Sequence, residues 1–576
     1  MILLVLWAVL ASGCVGYGFV FYSFFRRWGL IDPADPVRGT DLMLLGLCSL
    51  VVWVQLASIF WPANQYLALL WVGGAALIAI RFSESIRPYI RRFVRQQKQI
   101  SVFWLIVAVV LLYSTLEPTN ADSGMYHLPS IRWYERFRVI PGLGNLHGRL
   151  AFNSSFFVTS AAFGFTDWAG QTLFPLNGFL FLLVCWRLLG LIRSAHSIRF
   201  LALIILVLLL FYLIRQVFSP TPDVWATLLP ITIFLIWLEL RPGLTVSHLL
   251  VGVLVCLCVT VKLATLPVAF CLLPIGWSVR RQLSVRHIGV FLALGLFMVV
   301  PWLIRTTILS GYLFYPYPDL DLFSFDWKIP AKRVRFEKEF VTFWARFRIL
   351  EPYFDRSLLK VPADQWIPGW WNHREYYFLN KPTWVLAVVS PLIAISHFFF
   401  RDRWLRFRPL VLPYGVAFGG FLFWFISAPE FRFGYPYIWL TALLPWLPFI
   451  PKSLRFWNLV PWSNAILATV LIALGGYFIF HYLVKAQFPV HRYAILPQPL
   501  TYRNRGAEAA YFLPHQTDSG LEVLTPRHGP LQQSCYDQEK PCSPYFYPDL
   551  ELRGQSVVEG FRSRLNDEKN IYGTPF

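Results

Sequence analysis

Asp122-Ser123-Gly124-Met125-Tyr126-His127-Leu128-Pro129 follows directly on an apolar run over residues 100–116, and an arginine- and aromatic-rich stretch continues from it to residue 165. The apolar run is long enough to cross a bilayer as a helix. Asp122 is therefore placed at the mouth of a membrane helix, where an ionisable side chain is a functional candidate by default.

The whole chain agrees with that placement. Its 576 residues are 56% hydrophobic, 18% aromatic and only 14% charged, too apolar to wrap in a polar surface. A formal net charge of +20 raises the question of nucleic acid, but the lysines and arginines fall in short clusters between apolar runs, as in cytoplasmic loops. No nucleic-acid partner is expected; the lipid bilayer is. Runs of spanning length lie near residues 2–24, 41–60, 65–81, 100–116, 171–192, 199–218 and 224–241. Others lie near 246–262, 263–279, 287–309, 381–400, 409–428, 435–451 and 463–484. They predict an all-α polytopic membrane protein of about fourteen transmembrane helices. The first is read as a retained helix, because no basic segment precedes it and Arg26 and Arg27 follow it.

Alternating the spans puts Arg26/Arg27, the cluster 87–98, Arg193/Arg199, Arg280/Arg281/Arg286, the cluster 401–408 and Lys452/Arg455 on one side, read as cytoplasmic. The other side collects both termini, the loop 116–170, the turn 219–223, the segment 311–380, the turn 428–434 and the tail after 485. Three regions follow: additional N-terminal helices over 1–99, a transmembrane module over 100–486, and a small extracytoplasmic C-terminal domain over 487–576. Six cysteines lie in apolar runs and read as small core residues. Cys535 and Cys542 lie in the external tail, where an oxidising compartment favours a disulfide; a metal site would need two more ligands, and His528 is the one nearby imidazole.

The candidate chemistry gathers on the external side. Asp122 has Tyr126 and His127 close by to hydrogen-bond it, and Asp223 holds the corresponding place in Ser219-Pro220-Thr221-Pro222-Asp223. Either carboxylate also fits a plain helix cap. Three cations, Lys262, Arg305 and Arg432, sit at outer ends of apolar runs or in a short external turn, and together they fit a cleft that binds an anion from the bilayer. Each also fits simple snorkelling to the interface. In the first loop, Ile131, Tyr134 and Phe137 recur at three-residue spacing with Arg132, Arg136 and Arg138 between them, the pattern of a helix lying in the interface; a second such piece is expected over 151–165.

An extracytoplasmic Asp just after a membrane helix, running into Tyr126-His127-Leu128-Pro129 and an amphipathic loop containing Arg132 and Arg149, resembles the bacterial protein O-mannosyltransferase and lipid A aminoarabinose transferase group of GT-C membrane glycosyltransferases. The Pro222-Asp223 turn, the Lys262 segment, Ser310-Gly311-Tyr312 and Glu430-Phe431-Arg432-Phe433 follow in a similar order. The resemblance implies a GT-C-like fold in the bacterial inner membrane, a polyprenyl-phosphate-linked sugar donor, an acceptor of unknown kind reaching the site from outside, and inversion at the sugar. It also implies that Asp122 is the general base and that Tyr126, His127, Arg132, Arg149, Asp223, Lys262, Arg305, Tyr312 and Arg432 bind substrate. No cofactor follows from it, and a divalent metal is not indicated. The chain differs from many members in carrying Gly124 and Met125 where acidic residues occur, and in three spans ahead of residue 100. Three other readings remain: a lipid-linked saccharide transporter, a polysaccharide polymerase or ligase working through loop arginines and His127 or His373, and a non-catalytic scaffold in an envelope assembly.

Overall fold

The computed structural model describes residues 1–32, 37–95, 100–193, 198–349, 353–373, 378–450, 459–502, 511–527 and 534–564. Lys98, Lys452, Arg455 and His528 lie outside the described residues. Seven helices are long and apolar enough to cross a membrane: Ile2–Arg27, Gly39–Ala57, Pro175–Ile192, Val285–Ser310, Asn380–Phe399, Arg401–Ser427 and Val460–Lys485. An eighth candidate, Gln65–Arg81 with Ser83–Tyr89, is bent by 94° at Phe82. Shorter apolar helices cover Ser101–Tyr113, Ile198–Leu213, Val246–Val261 and Leu263–Val279, and Asp223–Glu239 and Phe431–Leu443 occupy the two remaining predicted positions. The molecule is a helical membrane protein.

Burial sorts these helices into inner and outer ones. Asp223–Glu239 lies inside, with every residue from Asp223 to Ile236 buried. Val285–Ser310 and Val460–Lys485 are only 17% buried over their apolar windows and present side chains such as Leu292, Leu296 and Ile472 outward, as a lipid-facing surface requires. The first two helices cross so closely that a Cβ on Gly18 would lie 1.9 Å from the Leu42 carbonyl oxygen. Small residues let membrane helices approach to backbone contact in this way. At one end of the bundle Arg187 donates to both Asp41 and Glu239, and Glu239 also takes Arg38. That network joins three helices through groups otherwise costly to bury.

The helices of the first large loop depart from expectation. Leu128–Arg136 and Ser155–Ala162 are buried within the protein, not laid on lipid with arginines outward. Arg132 is spent on Glu135 three residues along the same helix, and Phe156, Phe157 and Val158 belong to the main core. The loop is a structural layer under the C-terminal region. That region consists of two small antiparallel hairpins, Phe512–Gln516 with Glu522–Pro526 and Leu550–Leu552 with Phe561–Ser563, and a disulfide joins Cys535 to Cys542. It is seated on the loop, where Phe561 N–H donates to the Pro141 carbonyl (2.9 Å) and Tyr536 N–H to the Gly124 carbonyl (2.8 Å), and on the helix Ala331–Phe347, whose Arg333 pairs with Asp549 (2.6 Å).

Candidate functional site

Four turns, each fixed by its own local chemistry, meet at the end of the bundle opposite the Arg187 network. Asp122 precedes a π-helical turn, Ser123–His127, that runs straight into Leu128–Arg136. Asp122 stands at the N-terminal edge of that turn in helical backbone, with its N–H held by the Asn120 side chain (3.1 Å). Asp223 opens its helix from a turn that Asn177 pins by donating to the Ser219 and Thr221 carbonyls (2.8 and 2.9 Å). At Lys262 the helix Val246–Val261 ends in extended backbone before a 3-10 stretch begins, which turns the lysine away from the helix axis. Arg432 lies in the first turn of Phe431–Leu443, whose entry is fixed by Trp370 and Trp424 donating to the Pro429 and Glu430 carbonyls, both at 2.7 Å.

One guanidinium joins them. Arg432 donates to Asp122 Oδ2 (2.8 Å), reaches Asp223 Oδ2 at 3.3 Å, and lies 3.9 Å from Glu430. Lys262 donates to the other Asp223 oxygen and sits 3.8 Å from the centroid of the Phe433 ring. Arg149 approaches Asp122 Oδ1 at 3.8 Å and Glu337 at 3.7 Å, donates to Met125 Sδ, and lies over the Tyr126 ring. Burial would raise the Asp122 pKa, but Arg432, His127 and Arg149 more than reverse it and hold the carboxyl well below the usual range. Burial pushes His127 down to about 4, against the pull of Asp122 and Asp223, so its ring is neutral near pH 7. Burial first, and then the charge on Asp122, raises the Tyr126 hydroxyl well above its ordinary value.

The cluster lies between two chambers. One, of about 460 Å³, is lined mostly by apolar groups and by Lys262 and Lys338. The other, of about 590 Å³, is the more polar of the two, with Asp122, Arg149, Arg215, Arg348, Glu430 and Arg432 set among aromatic side chains on its wall. Tyr126, Phe152, Val341 and Phe433 belong to both walls. Asp122 faces the polar chamber, Lys262 the apolar one, and Asp223 ties Lys262 to Arg432 between them.

Of the residues singled out in the sequence, Asp122, Tyr126, His127, Arg149, Asp223, Lys262 and Arg432 come together. Three do not. Arg305 is fully buried, donating to Ser58 and Asn153 beneath the Tyr134 ring. Tyr312 donates to the Ile329 carbonyl in a small separate core, and Arg132 is held by Glu135. Glu337, Arg348 and Arg215 were not singled out. For Glu337 the signal was Phe336, Phe340, Phe343 and Phe347 at helical spacing, which marks 331–347 as an amphipathic helix with a carboxylate beside its buried stripe. Among the described residues no group of three or more His, Cys, Asp or Glu side chains is placed to hold a metal ion.

Fold and site together define a helical membrane protein with a charge cluster between an apolar and a polar chamber at one end of its bundle. The chain belongs to the family described as domain of unknown function (DUF8201), whose model matches residues 1–439. Neither the curated proteins nor the solved structures searched give a match.

Proposed function

We propose that the protein is a membrane glycosyltransferase that moves a sugar from a polyprenyl-phosphate donor to an acceptor hydroxyl on the extracytoplasmic face, with its helices arranged as about fourteen spans in a GT-C-like module. The single observation that carries the reading is the division of charge at the cluster: a carboxylate lines the polar chamber while a lysine, linked to it through Asp223 and Arg432, lines the apolar one. An isoprenoid chain suits the apolar chamber, its phosphate suits Lys262 and Arg432, and a hydroxylated acceptor suits the polar chamber.

Transfer then balances as a single displacement. The acceptor oxygen forms a bond to the anomeric carbon and gives its proton to Asp122, while the bond from that carbon to the phosphate oxygen breaks and polyprenyl phosphate leaves. Lys262 and Arg432 stabilise the charge on the leaving phosphate. With Arg432 bound to Asp122, the carboxylate is a weak base. A donor phosphate competes for that guanidinium, and as it does so the proton affinity of Asp122 rises toward the ordinary range. The base is thus strengthened when the donor is in place.

Asp122→Asn tests the assignment. Transfer should fall by about 10²-fold or more, the usual worth of a positioned base, with yield and membrane insertion kept. Full activity in that variant refutes it. Identifying the polyprenyl-linked sugar that accumulates in cells lacking the protein names the donor, and no such accumulation counts against a transferase.

A further inference from the structure

The polar chamber has four guanidinium groups on its wall, and three have carboxylate partners: Arg149 with Asp122 and Glu337, Arg348 with Glu430, and Arg432 with Asp122 and Asp223. Arg215 has no carboxylate partner among the described residues. It is exposed, and its guanidinium carbon lies 4.9 Å from the centroid of the Tyr477 ring. Its partners are the phenol groups of Tyr477 and Tyr113, which leave its positive charge unmatched where its neighbours face carboxylates, and a planar cation so placed is suited to a planar anion brought by a ligand.

The wall near Arg215 is aromatic and amide-bearing. The Tyr212 and Tyr435 rings stand 4.9 Å apart, Tyr435 stacks on Trp439 at 4.8 Å, and Gln216 and Asn380 complete that side. Tyr212 Oη and Asn380 Oδ1 are buried with no hydrogen-bond partner among the described residues. Both atoms are sealed behind the ring faces and out of a ligand's reach, so the groups on this wall that can meet a ligand are the ring faces and the Gln216 side chain. Aromatic faces for C–H surfaces, the Gln216 amide for hydroxyls and, for a carboxylate, a guanidinium whose neighbours are phenols are together the requirements of an acidic sugar.

We infer that the polar chamber is a subsite for an acidic saccharide, held through its carboxylate by Arg215 and through its ring by the Tyr212 and Tyr435 wall. The inference rests on the transferase reading and deepens it, naming the acceptor as a uronate-bearing glycan. The test uses the purified full chain in nanodiscs, with a galacturonate trisaccharide and the neutral galactose trisaccharide of the same linkage as probes, read by calorimetry. The acidic probe should bind about tenfold or more tighter, as one charge-assisted contact predicts, and added salt should erode the difference. Arg215→Ala should abolish the preference, and Arg215→Lys should keep part of it. Equal affinity for the two probes, or a preference that survives Arg215→Ala, overturns the inference. The readings separate cleanly: transfer to a neutral acceptor with no acid preference defeats this inference and leaves the transferase standing. Acid-selective binding with no transfer of any sugar leaves the subsite standing and defeats the transferase.

Discussion

Gly124→Ala should loosen the C-terminal region from the loop that carries Asp122. A Cβ at Gly124 would meet three carbons of the Tyr536 ring at 2.4, 2.7 and 2.8 Å. Carbon atoms rest at about 3.5–4.0 Å, so the ring must retreat by about 1 Å. It is poorly free to do so, because Tyr536 is in left-handed backbone (φ 47°), follows the disulfide-bonded Cys535, and donates its N–H to the Gly124 carbonyl at 2.8 Å. Overpacking of this kind costs about 1–3 kcal/mol, and losing the backbone hydrogen bond adds about 0.5–1.5 kcal/mol. A combined cost of about 1.5–4.5 kcal/mol raises the population of the undocked loop by about tenfold or more. Hydrogen exchange of peptides spanning 534–543, followed by mass spectrometry in detergent, reads that opening directly. Tyr536→Gly in the same background should restore slow exchange, since it removes the ring and suits the positive φ. Unchanged exchange in Gly124→Ala, or fast exchange that Tyr536→Gly does not reverse, refutes the reasoning.

Lys262→Ala and Arg432→Ala should each weaken apparent donor affinity by about tenfold to a hundredfold, the worth of a charge-assisted hydrogen bond, whereas Arg305→Ala should lower thermal stability through the lost core contacts; an unchanged KM for donor in both of the first two counts against the phosphate site. Arg187→Met leaves Asp41 and Glu239 facing each other with less compensation and should cost about 3–5 kcal/mol, while Arg335→Ala, from an exposed pair with Asp319, should cost under about 1 kcal/mol, both read as shifts in thermal unfolding. His127 binds no proton in the folded protein between its ordinary value of 6.5 and about 4, where the unfolded chain does. Stability should therefore fall as pH is lowered through that window, by up to about 1.4 kcal/mol per pH unit. His127→Gln should flatten that slope, and an identical slope in both proteins would show that other groups cause it. Asp122, depressed below the usual carboxylate range, contributes its own loss only at still lower pH.

The membrane class and the meeting of Asp122, Asp223, Lys262 and Arg432 were legible because each residue sits where a polar turn interrupts an apolar run. Helix alternation carries those turns to one end, so sequence position alone brings the charges near each other. What periodicity cannot say is which way a side chain leaves its helix. Arg305 occupies the same kind of position as Arg432, yet it points into the core toward Ser58 and Asn153. Arg132 had a readable partner in Glu135 at i,i+3, a spacing that favours an intrahelical pair over a lipid contact. The first of the two loop helices looked interfacial because its arginine-bearing polar face was assumed to meet water and phosphate. The C-terminal region covers Leu128–Arg136 and the bundle helices enclose Ser155–Ala162, and docking between parts of a chain far apart in sequence leaves no local pattern.

The family match ends at residue 439, and every charged member of the cluster lies before that point. The structural supports of the cluster do not. Tyr536 seats Gly124, Phe561 holds Pro141, and Tyr113, just ahead of the Asp122 loop, donates to the Leu474 carbonyl (3.0 Å). A fragment cut at the family boundary would keep each ionisable group and lose the surfaces that hold their loop in shape. Such a fragment is a poor choice for expression or assay: the stretch that the family shares and the stretch whose packing holds the Asp122 loop end at different places along the chain.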